Sequence, residues 1–237
     1  MQVLLLAHTP EPARLVAAAA RLCYSKLTPS EVYEGLTDEK VKKLLTDIRA
    51  SGHMSPFEHA SFTFGVSGLS RVASHQLVRH RMASFSQQSQ RYVSMKDNSV
   101  VVPPSAESDS ERLKLYEEAA ELARGYYNRL IEMGMDKEDA RFILPHGGCT
   151  NIIFTMNARE LMHFFRLRLC RRAQWEIREL AIGMLELVLD AAPELFLGAG
   201  PACMVDGKCL EPAGRCCGKP CSKPGNAKQM LEILRKN

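Results

Sequence analysis

The stretch RHRMASFSQQSQRY, residues 79–92, concentrates side chains that bind anions and contact polar groups. Its fourteen positions hold three arginines, one histidine, three serines and three glutamines, with no acidic residue. Arginine binds phosphate in a bidentate manner, and neighbouring hydroxyls and amides can hydrogen-bond to phosphate, sugar and base edges. The composition of this stretch therefore predicts a site for a phosphorylated small molecule.

Basic residues without nearby acids extend beyond this stretch. Nine of the 31 lysines and arginines lie in two windows that contain no Asp or Glu, residues 59–96 and 161–175. These nine are Arg71, Arg79, Arg81, Arg91, Lys96, Arg166, Arg168, Arg171 and Arg172. Exposed surfaces usually mix both signs of charge, and arginine is preferred over lysine where planar contacts with anions are needed. We therefore favour unpaired cations facing an anionic ligand over the alternative of a solvated basic face.

The overall composition is that of a globular protein. The chain has 237 residues, of which 46% are hydrophobic and 24% charged, and its net charge of +4 is too small to indicate nucleic-acid binding. No apolar run approaches the roughly 18 residues that cross a bilayer. The start, MQVLLLAHTPEPARL, lacks a basic segment and a cleavage site, so it is interpreted as a strand and not a signal peptide. These features predict a cytoplasmic protein.

Motifs for several other chemistries are missing. The sequence contains no Walker lysine motif and no G-x-G-x-x-G after a strand. Cys23, Cys149 and Cys170 lie among apolar residues, which is typical of inert buried thiols. The spacing of His53 and His59 matches no common zinc ligand pattern, so we predict no metal site.

Hydrophobic periodicity predicts a sequence of strands and helices. Strands are predicted at residues 3–10, 59–68 and 150–156, and helices at residues 11–24, 37–53, 69–80, 109–134, 136–145, 157–169, 173–192 and 226–237. Residues 79–92 are interpreted as a loop that follows the predicted helix at residues 69–80, and residues 99–110 as a strand end and loop. Residues 1–198 are thus predicted to form a single α+β domain with a central, mostly antiparallel sheet flanked by long helices.

The last segment, residues 199–237, differs in composition and is predicted to be a Cys/Gly/Pro-rich C-terminal tail. It holds five of the eight cysteines, namely Cys203, Cys209, Cys216, Cys217 and Cys221. The tight C-x2-C pairs of structural zinc sites are missing. A packed or partly mobile tail with reduced thiols is therefore favoured, and a zinc knuckle is the alternative.

Residues 79–92 also match a family signature, R-H-R-x-x-S-x-x-x-x-S-x-R, which is carried here by Arg79, His80, Arg81, Ser84, Ser89 and Arg91. This motif resembles that of the flavin-dependent thymidylate synthases. Three more segments resemble the same family in the same order: SPFEHASFTF, ARFILP and NARELMHFFRLRLCRRAQWEIRELA. The resemblance spans roughly residues 1–198.

The resemblance implies a specific reaction. Members of that family make dTMP from dUMP, take the carbon from methylenetetrahydrofolate and the electrons from NADPH through FAD, and release tetrahydrofolate. They require no protein nucleophile and form homotetramers in which several subunits build each active site. The expected partners are therefore dUMP, folate, NADPH and further copies of the chain, with no nucleic acid and no membrane.

The resemblance also assigns residues. Those expected to bind dUMP are Gln76, Arg79, Gln87, Gln88, Ser89, Gln90, Arg91, Arg141 and Arg168. Those expected to bind FAD are Ser55, Arg79, His80, Arg81, Gln87, Asn157, Arg159 and His163. Arg168 is the expected catalytic residue, since its counterpart contacts the uracil ring and helps to ionise N3. A permanent cation there would stabilise charge that develops on the pyrimidine.

Three positions depart from the common family residues, and two other functions stay open. Gln87, His163 and Arg172 stand where many relatives carry Glu, Asn and His. A non-catalytic nucleotide- or RNA-binding domain would need aromatic platforms, for which this stretch offers only Phe85 and Tyr92. A flavoprotein that acts on a different pyrimidine nucleotide is the other alternative.

Overall fold

The computed structural model describes residues 1–209, 211–212, 214–217 and 227–236. Within them the strands are β1 Gln2–His8, β2 Ser61–Ser70, β3 Ala83–Gln87 and β4 Cys149–Asn157. The α-helices are α1 Pro12–Leu22, α2 Pro29–Glu34, α3 Asp38–Ala50, α4 Arg71–Leu77, α5 Pro104–Glu107, α6 Ser110–Glu132, α7 Lys137–Ala140, α8 Ala158–Arg168, α9 Trp175–Ala191, α10 Pro193–Phe196, α11 Ala202–Val205 and α12 Ala227–Arg235. Two 3-10 helices cover Ser55–His59 and Arg141–Ile143.

The four strands form one sheet in the order β1-β2-β4-β3. The hydroxyls of Thr63 and Thr155 lie 2.9 Å apart, and the Gly68 amide donates to Asn151 Oδ1 at 3.4 Å. Residue numbers rise along β2 as they fall along β4, so these two strands are antiparallel. The predicted α+β class and antiparallel sheet are confirmed.

Alternating burial explains why β2 and β4 form strands. On β2 the side chains of Phe62, Phe64 and Val66 are buried while the residues between them are partly exposed. Phe64 stacks on Phe154 of β4 with ring centroids 5.4 Å apart. Each fully buried side chain of this size contributes roughly 1.5–3 kcal/mol through removal of apolar surface from water. This apolar face holds the two strands in one register.

Local capping signals set the ends of several helices. Thr37 caps α3 by accepting from the Lys40 amide, and Asp109 caps α6. After α6 the chain turns at Gly134, whose φ of 91° is the left-handed conformation that glycine adopts without strain. Helix α2 was missed, although Thr28 and Glu31 form the reciprocal capping box that marks such a start.

The chain divides into two compact units. Unit 1 comprises residues 1–2, 66–79 and 85–153, and unit 2 comprises residues 3–65, 80–84 and 154–237. The predicted helix at the end of the chain is confirmed as α12, and the predicted boundary at residue 198 stays a prediction. Among the described residues, no helix has the length and apolar character needed to span a membrane.

Candidate functional site

The predicted loop at residues 79–92 contains a strand. Ala83–Gln87 forms β3, next to β4, so the loop prediction is wrong for these five residues. The serines and glutamines of this segment do not favour a strand, but pairing with β4 satisfies its backbone hydrogen-bonding groups. The amide of Gln88 then donates to the Asn151 carbonyl at 2.9 Å, and the chain turns after it.

Gln87 is held at the end of β3 by two hydroxyls. Its Nε2 donates to Ser74 Oγ at 3.0 Å and to Thr150 Oγ1 at 3.2 Å. Both hydroxyl residues are buried, on α4 and β4 respectively. A glutamate at this position could only accept, so both hydroxyls would have to donate to it. The neutral side chain thus suits its surroundings, and sequence reasoning gave no signal for its two partners.

Two arginines of unit 1 form a positively charged pair. Burial lowers the pKa of Arg71, and the nearby charge of Arg141 lowers it further. The Nη1 atom of Arg71 is buried and has no hydrogen-bond partner among the described residues. Arg141 donates from Nε to the Glu138 carbonyl at 2.9 Å. Neither guanidinium has a carboxylate partner within the described part of the chain, and an anion would satisfy both.

Other arginines of the acid-free windows are paired in space. Arg91 Nε lies 2.7 Å from Glu138 Oε2, and Arg166 forms an ion pair with Asp206. The expectation of unpaired charge is therefore wrong for these two residues. Arg91 and Glu138 are 47 residues apart in sequence, and Arg166 and Asp206 are 40 residues apart. A count of acids within a short window of sequence therefore could not reveal these pairs.

In unit 2 a buried histidine links an acid and an arginine. His80 Nδ1 lies 3.1 Å from Glu160 Oε1, and Arg168 Nε donates to His80 Nε2 at 3.0 Å. His80 is 5% exposed and Glu160 9%. Burial lowers the pKa of His80, and the charges of Arg168 and His163 add to this effect against the opposing influence of Glu160. The histidine is therefore neutral at physiological pH.

Sequence reasoning assigned His80 and Arg168 to different ligands and missed Glu160. The N-x-x-E pattern at Asn157 and Glu160 is typical of a helix start, which hid the acid among ordinary capping residues. Asn157 caps α8, because its Oδ1 accepts from the Glu160 amide at 2.9 Å. The side chain of Glu160 instead contacts His80.

A cavity of about 410 Å³ lies beside these residues in unit 2. It is lined by Glu58, Met82, Asn157, Arg159, Glu160 and His163. Three of these residues belong to the predicted flavin set. The guanidinium of Arg159 is about half exposed and lies 2.5 Å from Glu58 Oε1. The two carboxylates of the lining are engaged, Glu58 by Arg159 and Glu160 by His80. The cation, amide, imidazole and exposed thioether beside them suit a ligand with phosphate and aromatic parts, so the residues present fit FAD.

The other predicted residues separate by unit. All of the predicted dUMP set except Arg168 lies in unit 1, and the predicted FAD set lies in unit 2 except for Arg79 and Gln87. Arg79 and Arg81 are exposed, as is Ser55 at the start of its 3-10 helix. Gln90 is buried, and its Nε2 has no hydrogen-bond partner among the described residues.

The cysteines correct one expectation. Cys23 is exposed at the end of α1, so its predicted burial is wrong. Cys170, Cys203 and Cys209 line a small cavity of about 50 Å³, and burial raises the pKa of the Cys170 thiol. Within the described residues, no cluster of His, Cys, Asp or Glu has the geometry of a metal site. Cys221 lies outside them.

A further cavity, of about 270 Å³, lies away from the predicted residues. It is lined by residues of α1, α3 and the end of α9, including Glu11, Arg14, Asp38 and Lys42. Arg14 is paired there with Glu11 and Asp38. No residue of the predicted dUMP or FAD sets lines this cavity.

These features define an α+β protein with a cationic site in unit 1 and a His–Arg cluster beside a cavity in unit 2. The family model described as "Thymidylate synthase complementing protein" matches residues 4–194. A flavin-dependent thymidylate synthase of Geobacter sulfurreducens is 52% identical over 221 residues, covering 92% of this chain and 94% of that protein. Another, of Clostridium tetani, is 46% identical and covers 98% of this chain and 96% of that protein.

A solved structure is also similar. The crystal structure of a UMP/dUMP methylase, PolB from Streptomyces cacaoi bound with 5-Br dUMP, has a TM-score of 0.70 and 27% sequence identity to this chain. The match covers 82% of this chain and 94% of that chain. This chain belongs to the thymidylate synthase complementing protein family, and the resemblance that its signature suggested is confirmed.

Proposed function

We propose that this chain catalyses the reductive methylation of dUMP to dTMP, with methylenetetrahydrofolate as carbon donor and NADPH as reductant, and with release of tetrahydrofolate. The main support for this function is that the chain belongs to the thymidylate synthase complementing protein family. Its family model spans residues 4–194, and relatives at 52% and 46% identity are named flavin-dependent thymidylate synthases. The similar solved structure is that of a UMP/dUMP methylase, which supports a pyrimidine nucleotide as substrate.

The nucleotide-binding part of the proposal rests on unit 1. The proposed dUMP ligands there are Gln76, Arg79, Gln87, Gln88, Ser89, Gln90, Arg91 and Arg141. Arg71, which sequence reasoning missed, joins them because its buried Nη1 has no hydrogen-bond partner among the residues that the structure describes and its charge is repelled by Arg141. A phosphate would supply the negative charge that both guanidiniums lack. The buried Nε2 of Gln90 offers another donor to a polar ligand.

We propose Arg168 as the catalytic residue. It stays charged at physiological pH, so it stabilises negative charge on the pyrimidine as N3 ionises and C5 becomes nucleophilic. Burial lowers the pKa of Arg168, which reflects a poorly solvated site where its field is strong. Cys170 fits a reaction without a protein nucleophile, since burial raises the pKa of its thiol and disfavours the thiolate.

The proposed FAD ligands are Ser55, Arg79, His80, Arg81, Gln87, Asn157, Arg159 and His163. When bound, FAD supplies the hydride that completes the methyl group. Arg159 now pairs with Glu58, and a phosphate of the cofactor would replace that carboxylate. Asn157, Arg159 and His163 line the cavity of about 410 Å³, so they orient a ligand there.

We further propose a homotetramer in which several subunits build each active site. Three large apolar side chains of α6 support association, since Leu115 is 68%, Leu122 62% and Tyr126 60% exposed. Their spacing of seven and four residues places them along one side of the helix. The proposed location is the cytoplasm, where dUMP, folate and NADPH are present.

The deciding experiment is an absorbance spectrum of the purified protein, followed by anaerobic NADPH with and without dUMP. A flavin spectrum that bleaches and changes with dUMP would place both ligands at one redox site. Tritium release from C5 of dUMP, with dTMP identified as product, would then complete the case. A protein that cannot be loaded with FAD contradicts the proposal and favours a nucleotide-binding domain. Bleaching without methylation of dUMP would favour another pyrimidine nucleotide.

A further inference from the structure

Glu160, His80 and Arg168 form a continuous line of hydrogen bonds in unit 2. The two contacts measure 3.1 Å, from His80 Nδ1 to Glu160 Oε1, and 3.0 Å, from Arg168 Nε to His80 Nε2. His80 and Glu160 are both at least nine-tenths buried, with exposed fractions of 5% and 9%. Buried polar groups of this kind must be satisfied by fixed partners, so the line is a specified feature of the packing.

The arginine fixes where the proton of His80 lies. A guanidinium carries only donors, so Nε2 of His80 must accept from Arg168 and cannot carry a hydrogen. The proton of the neutral imidazole is therefore on Nδ1, from which it donates to the Glu160 carboxylate. A second proton on Nε2 would set two donors against each other and break the contact with Arg168.

Helix α8 supplies both ends of this line. Glu160 lies in its first turn, where the Asn157 cap holds its backbone amide, and Arg168 is its last residue. These two positions are about 12 Å apart along the helix axis. His80, which comes from the 79–81 signature triplet, bridges them. A rigid helix thus fixes the backbone positions of both the acid and the arginine, and the imidazole between them contacts both side chains.

The surroundings of His80 leave Glu160 as the acid that can do this. Phe164 packs edge-on against the imidazole with ring centroids 4.9 Å apart, and His163 lies at 5.9 Å. The charged or titratable groups that act on His80 are Glu160, Arg168 and His163. Among the described residues Glu160 is the acid in this group, so its carboxylate is the one that accepts the Nδ1 proton.

We infer that Glu160 is a positioning residue for the reaction: it holds His80 in the Nδ1–H tautomer, and His80 in turn holds the guanidinium plane of Arg168. The inference rests on the proposed function, in which Arg168 stabilises the ionised pyrimidine. The arrangement matches the carboxylate–histidine pairs that orient metal ligands, with a guanidinium in place of the metal. In this role Glu160 acts through His80, although its side chain also lines the cavity proposed for FAD.

The test compares Glu160→Gln with Glu160→Asp and the wild-type enzyme. The glutamine amide can donate to Nδ1, which would move the ring proton to Nε2. There the N–H would face the donor of Arg168 and the hydrogen bond between the two side chains would be lost. We expect kcat to fall about 10- to 100-fold in Glu160→Gln with KM for dUMP little changed. Glu160→Asp keeps the carboxylate and should recover part of the loss. Glu186→Gln is the matched control, because Glu186 pairs with Arg235 on the surface at 2.5 Å.

The tautomer itself provides a readout that needs neither substrate nor flavin. Long-range ¹H–¹⁵N spectra of the seven histidines, with His80 assigned through His80→Gln, show which ring nitrogen is protonated. The proton should be on Nδ1 in the wild type and should move or exchange between sites in Glu160→Gln. A changed tautomer together with lower kcat would support the inference.

Other outcomes overturn it. An unchanged kcat or an unchanged tautomer in a folded Glu160→Gln would remove Glu160 from this role. If that variant does not fold, the wild-type spectrum decides, since a proton on Nε2 contradicts the line of hydrogen bonds and a proton on Nδ1 supports it. Failure of the wild type to methylate dUMP would instead reject the proposed function, and the spectra would still report on the tautomer.

Discussion

The two units treat their important arginines in different ways. In unit 2, Arg168 donates to a neutral, buried histidine that Glu160 holds in place. In unit 1, the buried Nη1 of Arg71 has no hydrogen-bond partner in the described part of the chain, and Arg141 adds a like charge nearby. A cation held by a neutral acceptor keeps its charge and its direction, whereas a cation without a partner is costly until an anion arrives. The first arrangement suits catalysis, and the second suits binding.

The difference also separates stability from function. In unit 1 the buried nitrogen of Arg71 lowers the stability of the ligand-free protein. A bound phosphate would remove this cost, and the gain would add to its binding affinity. In unit 2 the hydrogen bonds between Arg168, His80 and Glu160 form within the chain, so this arginine is held in place before any ligand binds. Substitutions should therefore affect turnover in unit 2 and nucleotide affinity in unit 1.

The largest effect is expected for Arg168→Ala. Loss of a preorganised charge at the pyrimidine should lower kcat by about 100- to 1,000-fold. Binding of dUMP should persist, because the unit 1 residues remain. Rapid-quench turnover and dUMP binding by calorimetry would measure the two quantities. Arg172→Ala, at an exposed arginine four positions further on, is the matched control. Full activity of Arg168→Ala would remove this residue from the mechanism.

A substitution of Arg71 should affect binding more than turnover. Arg71→Gln removes a charged donor to the phosphate, so affinity for dUMP should fall about 10- to 100-fold, in line with roughly 1.5–3 kcal/mol for a charged hydrogen bond. The Tm of the ligand-free protein should not fall, since the variant relieves repulsion from Arg141. Calorimetry and thermal shift with and without dUMP would test both. Arg124→Gln, whose arginine pairs with Glu121 on α6, should change neither.

The buried His80 should make stability depend on pH. Its folded pKa is below the ordinary 6.5, mainly because of burial, so the unfolded chain takes up a proton first as pH falls. The free energy of unfolding should therefore be complete above about pH 6.5 and should decline as the pH falls below it, with a matching fall in Tm. Thermal melts of the apoprotein from pH 7.5 to 5.5 would show this decline.

His80→Gln should flatten that part of the pH dependence, while the exposed His59→Gln should leave it as in the wild type. An identical pH dependence in His80→Gln and the wild type would mean that His80 takes up its proton equally in both states. That result would contradict a neutral histidine between Glu160 and Arg168.

The smallest effect is expected at Glu138. Its carboxylate pairs with Arg91 at 2.7 Å on a half-exposed surface, where such pairs contribute about 0–1 kcal/mol. Glu138→Gln would free Arg91 for the nucleotide, so dUMP affinity should rise by about two- to fivefold. A fall in affinity would show that Glu138 orients Arg91 and does not compete with the phosphate.

Much of the chain could be predicted because its signals are local. Periodic apolar residues predicted β2 and α6, and capping residues such as Thr37 and Asn157 predicted helix starts, because these interactions join residues within one turn or one strand. The signature at residues 79–91 likewise identified the family, since its residue types and spacing are preserved in one short segment.

Tertiary structure decided what depends on distant partners. β3 exists because β4 pairs with it, and Arg91 is neutralised by an acid 47 positions away. The sequence by itself determined the family, the main elements and the supply of cations. Folding decided that Arg168 is held by a histidine and that Arg71 is positioned to bind an anion. The reason is that hydrogen bonds and desolvation act through space and not along the chain.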